Sequence, residues 1–84
     1  MKYEVFWAHS AVEELFRAGA QDRRLPLRIL IAVKGFGRDA SGDVKKLEGQ
    51  SNQWRLRVGD WRIIFLRTQG TMTVTRIANR RDAY

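Results

Sequence analysis

The segment Trp54-Arg-Leu-Arg-Val58 alternates apolar residues with arginines, and a spacing of two puts Arg55 and Arg57 on the same side of an extended chain. Arg62 follows early in a second run of strand composition. There it interrupts the apolar Trp61, Ile63, Ile64 and Phe65, where solubility alone does not call for a cation. Arg80 and Arg81 come after a third such run. A guanidinium is planar, permanently charged and able to bind two phosphate oxygens at once, so several sharing one surface would hold a phosphate group and stabilise negative charge growing on it. The chain has no cysteine and a single histidine, His9, which excludes thiol nucleophiles and zinc sites built from Cys and His. Any chemistry therefore falls to Arg, Lys, Tyr, Ser and carboxylates, with no metal or cofactor implied.

The balance of charge agrees with an anionic ligand. Sixteen Lys and Arg against nine Asp and Glu leave a net charge of +7, and residues 51–84 carry most of the excess, with seven basic residues, all arginine, against two acidic ones. Such a surface attracts a polyanion with an affinity that falls as salt rises, so nucleic acid or an acidic protein is the expected partner. The competing reading is a basic surface that serves solubility alone.

The elements that would position these cations can be read from period and punctuation. Eighty-four residues are enough for one core and too few for two, so residues 1–84 are expected to form one domain. Tyr3, Val5 and Trp7 alternate with Lys2, Glu4 and Phe6, which predicts a first strand. Ser10-Ala-Val-Glu13 has the form of a capping box and predicts a helix over 11–18, which places His9 at a strand–helix junction as a surface or capping residue. A second helix begins near Pro26, with Leu27, Leu30, Ile31 and Lys34 along one side and Ile29 and Val33 widening the apolar arc, and Gly35 and Gly37 are expected to end it. Residues 37–43 have loop composition.

From Trp54 onward the period is two. Gly59-Asp60 and Gln69-Gly70 separate three strands ending at Asn79, the first junction being a two-residue hairpin signal. The expected architecture is α+β, a helical hairpin packed on one face of a four-stranded sheet that consists of the N-terminal strand and a three-stranded antiparallel meander. Trp54, Leu56 and Val58 would face the helices and send Arg55 and Arg57 to the other face, where the meander would bring up Arg62, Arg80 and Arg81. Trp54 and Trp61 are read as core or hairpin packing, and Arg67 and Arg76 as solvated charges or partner contacts. The most apolar run, 25–33, contains Arg28 and falls far short of the roughly 20 residues that span a bilayer, so a soluble cytoplasmic protein is expected.

Three stretches together resemble a known family: Lys46-Leu-Glu-Gly49, then Trp54-Arg-Leu-Arg-Val-Gly-Asp-Trp-Arg-Ile-Ile-Phe65, then Arg76-Ile-Ala-Asn-Arg-Arg-Asp-Ala-Tyr84. They are similar to the K-L-x-G turn, the Y-R-L-R-V-G-D-Y-R hairpin and the terminal V-x-x-R-x-x-x-Y of the RelE/ParE toxin superfamily of bacterial toxin–antitoxin modules. The resemblance implies a RelE-like fold, a cognate antitoxin protein as partner, and one of two targets. RelE-type members cut messenger RNA in the ribosomal decoding site, whereas ParE-type members poison DNA gyrase and are not nucleases. A degenerate, non-toxic relative is a third possibility.

On the RelE-type reading, the resemblance assigns catalytic positions to Arg55, Arg57, Arg62, Arg80, with Arg81 as the alternative to Arg80, and Tyr84. Lys45, Lys46 and Arg81 are expected to be RNA-binding, Lys45 and Lys46 ahead of the hairpin contacting rRNA or message phosphates, with a solvated turn as the alternative for these two lysines. Asn79 stands where many relatives have His or Lys. The implied reaction is metal-independent: the 2′-oxygen attacks phosphorus, charge on the phosphorane is stabilised, and the 5′-oxygen leaves. Arginine suits the stabilising task and is a poor base, so proton removal is left open between Tyr84, Lys45, Lys46 and the substrate or ribosome itself. Tyr84 would stack on an unpaired base, as aromatic side chains do in single-stranded RNA recognition.

Overall fold

The computed structural model describes residues 2–47, 49 and 52–79. β1 (Glu4–Trp7) leads into two helices, α1 (His9–Gln21) and α2 (Leu25–Asp39), followed by β2 (Asp43–Lys46), β3 (Gln53–Val58), β4 (Trp61–Thr68) and β5 (Thr71–Asn79). The strands form one sheet in the order β1-β5-β4-β3-β2, with β1 parallel to β5 and the other neighbours antiparallel. The class is the expected α+β one, and the meander falls where the alternation put it. The sheet has a fifth strand where four were expected. β2 has the sequence Asp-Val-Lys-Lys, with one apolar residue, and it pairs on one side only. A short charged strand suits an exposed sheet edge.

Both helices start and stop differently from the sequence expectation. No capping box forms: α1 begins at His9, its N-cap is Ala8 without a side-chain bond, and Glu13 instead reaches His9 Nε2 at 2.9 Å. α2 does carry Pro26 in its first turn, yet it continues through Gly35 and Gly37 to a left-handed Ala40 with φ 61°. Gly37 is a packing residue, because a Cβ there would lie 2.8 Å from Val5 Cγ2, and its carbonyl accepts the N–H groups of Lys2 and Tyr3 at 3.0 and 2.9 Å. Past the helix end, Asp39 accepts the Ser41 N–H at 3.1 Å, and hydrogen bonds from Ser41 hold the Asp39 carboxyl below the usual aspartate range.

The core lies between the helices and the sheet. Leu25, Ile29, Val33 and Phe36 of α2 meet Leu56, Ile63, Phe65, Met72, Val74 and Ile77 of the sheet, with Trp54 and Trp61 packed at its margin as expected. The buried stripe of α2 is thus rotated from the predicted side. Leu27 (63% exposed), Ile31 (63%) and Leu30 (42%) face outward, beside Phe16 of α1 at 76%.

β1 pairs only with the first half of β5, and α1 covers the rest of that edge. Ser10 Oγ donates to the Thr75 carbonyl at 3.3 Å, and the Ile77 N–H donates to Glu14 Oε1 at 2.8 Å. These two side chains, one helical turn apart, satisfy strand groups that lack a neighbouring strand. Replacing Glu14 by alanine leaves the N–H of a buried Ile77 without its acceptor, and urea unfolding should show a loss of about 1–3 kcal/mol. Ser10→Ala, which removes a longer bond at an exposed site, should cost less than about 1.5 kcal/mol in the same measurement.

Candidate nucleic-acid interface

Strand register decides which cations meet. Residues directly opposite each other across a sheet share a face, and here Asp43, Arg57, Arg62 and Ala78 form one row across β2, β3, β4 and β5. Lys45, Arg55, Ile64 and Arg76 form a second row, two residues along. Between the two, Leu56, Ile63 and Ile77 point the other way, into the core. The face away from the helices therefore carries Arg55, Arg57, Arg62, Lys45 and Arg76 over a floor that includes the buried Ile64 and Ala78.

Several cations on this face have partners of their own. Arg55 is mostly buried, its side chain 16% exposed, and its Nη1 lies 3.8 Å from Asp43 Oδ1, a long ion pair. Arg57 is exposed and donates from Nε to the Gly59 carbonyl at 3.2 Å, which ties its guanidinium to the hairpin turn, where Gly59 has φ 60°. Arg62, directly across from Arg57, is half-buried. Two arginines directly opposite each other bring their positive charges together, an arrangement that an anionic ligand can bridge. Arg76 approaches Glu14 Oε2 at 4.0 Å and sits at the rim.

The expected cations divide as follows. Arg55, Arg57, Arg62 and Lys45 share the face. Lys46 belongs to the other side of the edge strand, with Nζ 6.0 Å from the centre of the Trp54 ring. Arg80, Arg81 and Tyr84 lie outside the described residues. His9 is exposed at the start of α1, away from the arginine rows. Among the described residues no cluster of three His, Asp or Glu side chains could hold a metal ion.

Two residues were missed by sequence reasoning. Arg76 is on the arginine face because a bulge between the β4 positions Ile64 and Phe65 shifts the phase of β5, a shift visible in the sequence as apolar Met72 and Val74 two apart, then Ile77 three further on. Arg67 is no solvated charge. It lies on the inward row with Ile63 and Phe65, half-buried, with Nε donating to Tyr3 Oη at 2.6 Å.

No protein-family model matches the sequence, and no curated protein is significantly similar to it. Solved structures are similar over nearly the whole chain. A chain of the RelB–RelE antitoxin–toxin complex from Methanococcus jannaschii superposes with a TM-score of 0.72 at 23% identity, covering 94% of this chain and 98% of that one. For the DinJ–YafQ toxin–antitoxin complex of E. coli the TM-score is 0.74 at 12% identity, with coverage of 100% and 99%. For the archaeal RelE–RelB complex of Pyrococcus horikoshii OT3 the values are 0.61 at 28% identity, with coverage of 99% and 100%. The element order, the sheet topology and these superpositions agree: the chain has the fold of the RelE-like toxin superfamily.

Proposed function

We propose that this chain is the toxin of a toxin–antitoxin pair and cuts messenger RNA on the ribosome. The observation that carries the reading is the convergence of Arg55, Arg57 and Arg62 on the sheet face opposite the helices, two of them directly across from each other. In the proposed reaction the 2′-oxygen of the substrate loses its proton and bonds to phosphorus, the bond from phosphorus to the 5′-oxygen breaks, and that oxygen takes up a proton. Three guanidinium groups suit the charge that collects on the phosphoryl oxygens, and the low-dielectric floor of Ile64 and Ala78 strengthens their field. Arg80 and Tyr84 complete the proposed set, with Lys45 and Arg81 on the flanking RNA.

The antitoxin is proposed to cover the outward apolar strip of Phe16, Leu27, Leu30 and Ile31, which is rimmed by the exposed Arg17, Arg24, Arg28 and Lys34. An amphipathic segment with an acidic border fits that pattern. Among the described residues no helix is long and apolar enough to cross a membrane, and a cytoplasmic site of action is proposed.

The test is to add the purified chain to translating ribosomes and map message ends. Cleavage within codons, giving fragments that end in a 2′,3′-cyclic phosphate, is the expected result. Uncut messages together with DNA damage in cells expressing the chain would replace this reading with inhibition of DNA gyrase.

A further inference from the structure

Arg67 is half-buried on the helix-covered side of the sheet, and no described residue supplies the anion that such a residue normally requires. Its guanidinium carbon lies 4.7 Å from the Trp54 ring centre, 5.0 Å from that of Tyr3 and 5.6 Å from that of Phe36. Tyr3 Oη takes the Nε hydrogen. Among the described residues no carboxylate pairs with Arg67. Aromatic faces orient a guanidinium and offset part of its desolvation, yet they leave its charge unneutralised.

The cage opens on a groove of about 740 Å³ whose described walls include Lys2, Tyr3, Asn52, Trp54, Arg67 and Gln69, with no acidic residue among the described ones. Two cations along one open groove, Lys2 and Arg67, match successive phosphates of a single strand, while the Asn52 and Gln69 amides can donate to and accept from base edges. An extended peptide would need free main-chain groups here. Two of the carbonyls at the groove are already bonded: Gly70 accepts from Glu4 N–H and Asn52 from Arg67 N–H, both at 2.9 Å.

We infer that the groove around Arg67 is a second site for the phosphates of single-stranded RNA, on the side of the sheet away from the arginine face. The inference rests on RNA being the ligand of this protein and is independent of cleavage.

A labelled 2′-O-methyl hexaribonucleotide, which cannot be cut, tests it by fluorescence anisotropy across a salt series with the full chain. Arg67→Gln is expected to weaken binding about 5- to 20-fold and to lower the slope of log affinity against log salt by about 0.7, one phosphate contact on a single strand. Arg67→Lys, which keeps the charge without the fork, should recover part of that loss. Lys2→Gln, at an exposed position that cannot unfold the protein, should weaken binding about 2- to 5-fold, and the Trp54 indole NMR signal should shift on adding the oligonucleotide.

Two results would overturn the inference. In one, Arg67→Gln and Lys2→Gln both bind as tightly as the parent while Arg62→Ala loses affinity, which leaves the arginine face intact as an RNA site. In the other, a hexaglutamate peptide binds in an Arg67-dependent way and the oligonucleotide does not, which assigns the groove to an acidic protein.

Discussion

Replacing Arg62 by alanine is expected to lower message cleavage by about 100- to 1,000-fold, the loss seen when one preorganised donor to a transition-state oxyanion is removed. Arg62 stands on the central strand of the sheet, between Arg57 on β3 and Ala78 on β5, so its guanidinium has the least freedom to be replaced by a neighbour. Stability should change by less than about 1 kcal/mol, because removing one of two facing like charges offsets the packing that the arginine stem supplied. Arg62→Lys keeps the charge but not the two-pronged geometry, and its rate should fall between the two. The check is a rate measurement on translating ribosomes beside a urea unfolding curve for each variant. A fully active Arg62→Ala protein would remove the arginine face from the mechanism.

That face was legible in the sequence because three independent signals agreed. The period-two alternation fixed which residues of β3 look away from the helices, Gly59 supplied the positive φ for the hairpin, and the meander order brought Arg62 across from Arg57. The second helix was harder to read. Two apolar rows occur in it at helical spacing, Leu27 with Leu30 and Ile31, and Leu25 with Ile29, Val33 and Phe36, and only packing against the sheet shows that the second is buried. Gly37 carries the composition of a helix stop, but what decides its role is Val5, a residue 32 positions away that local sequence cannot supply. β2 escaped because one valine is all the apolar surface that an edge strand needs. Arg67 was readable after all, since it continues the inward row of Ile63 and Phe65. A cation on that row predicts a sheltering cage, and the aromatic residues that form it come from the segment before β1, from α2 and from β3.

The largest loss of stability is expected at Phe36, where Phe36→Ala should cost about 3–5 kcal/mol in urea unfolding followed by circular dichroism. The side chain is 1% exposed and joins the three parts of the molecule. Its ring stacks on Tyr3 at 5.5 Å between centroids, tilts against Phe65 at 5.1 Å, and forms one wall around the Arg67 guanidinium. Truncation opens a cavity between α2 and the sheet and also strips an aromatic wall from a half-buried cation, two costs that add because they fall on different neighbours. Phe36→Leu fills most of the volume and should lose about 1–2 kcal/mol, chiefly from the aromatic contacts. A domain of this size has only about 5–15 kcal/mol in hand, so Phe36→Ala should reduce activity by lowering the amount of folded protein. The two variants then separate by mechanism: Arg62→Ala remains folded and cuts about 100- to 1,000-fold more slowly, whereas Phe36→Ala loses activity chiefly through the loss of folded protein.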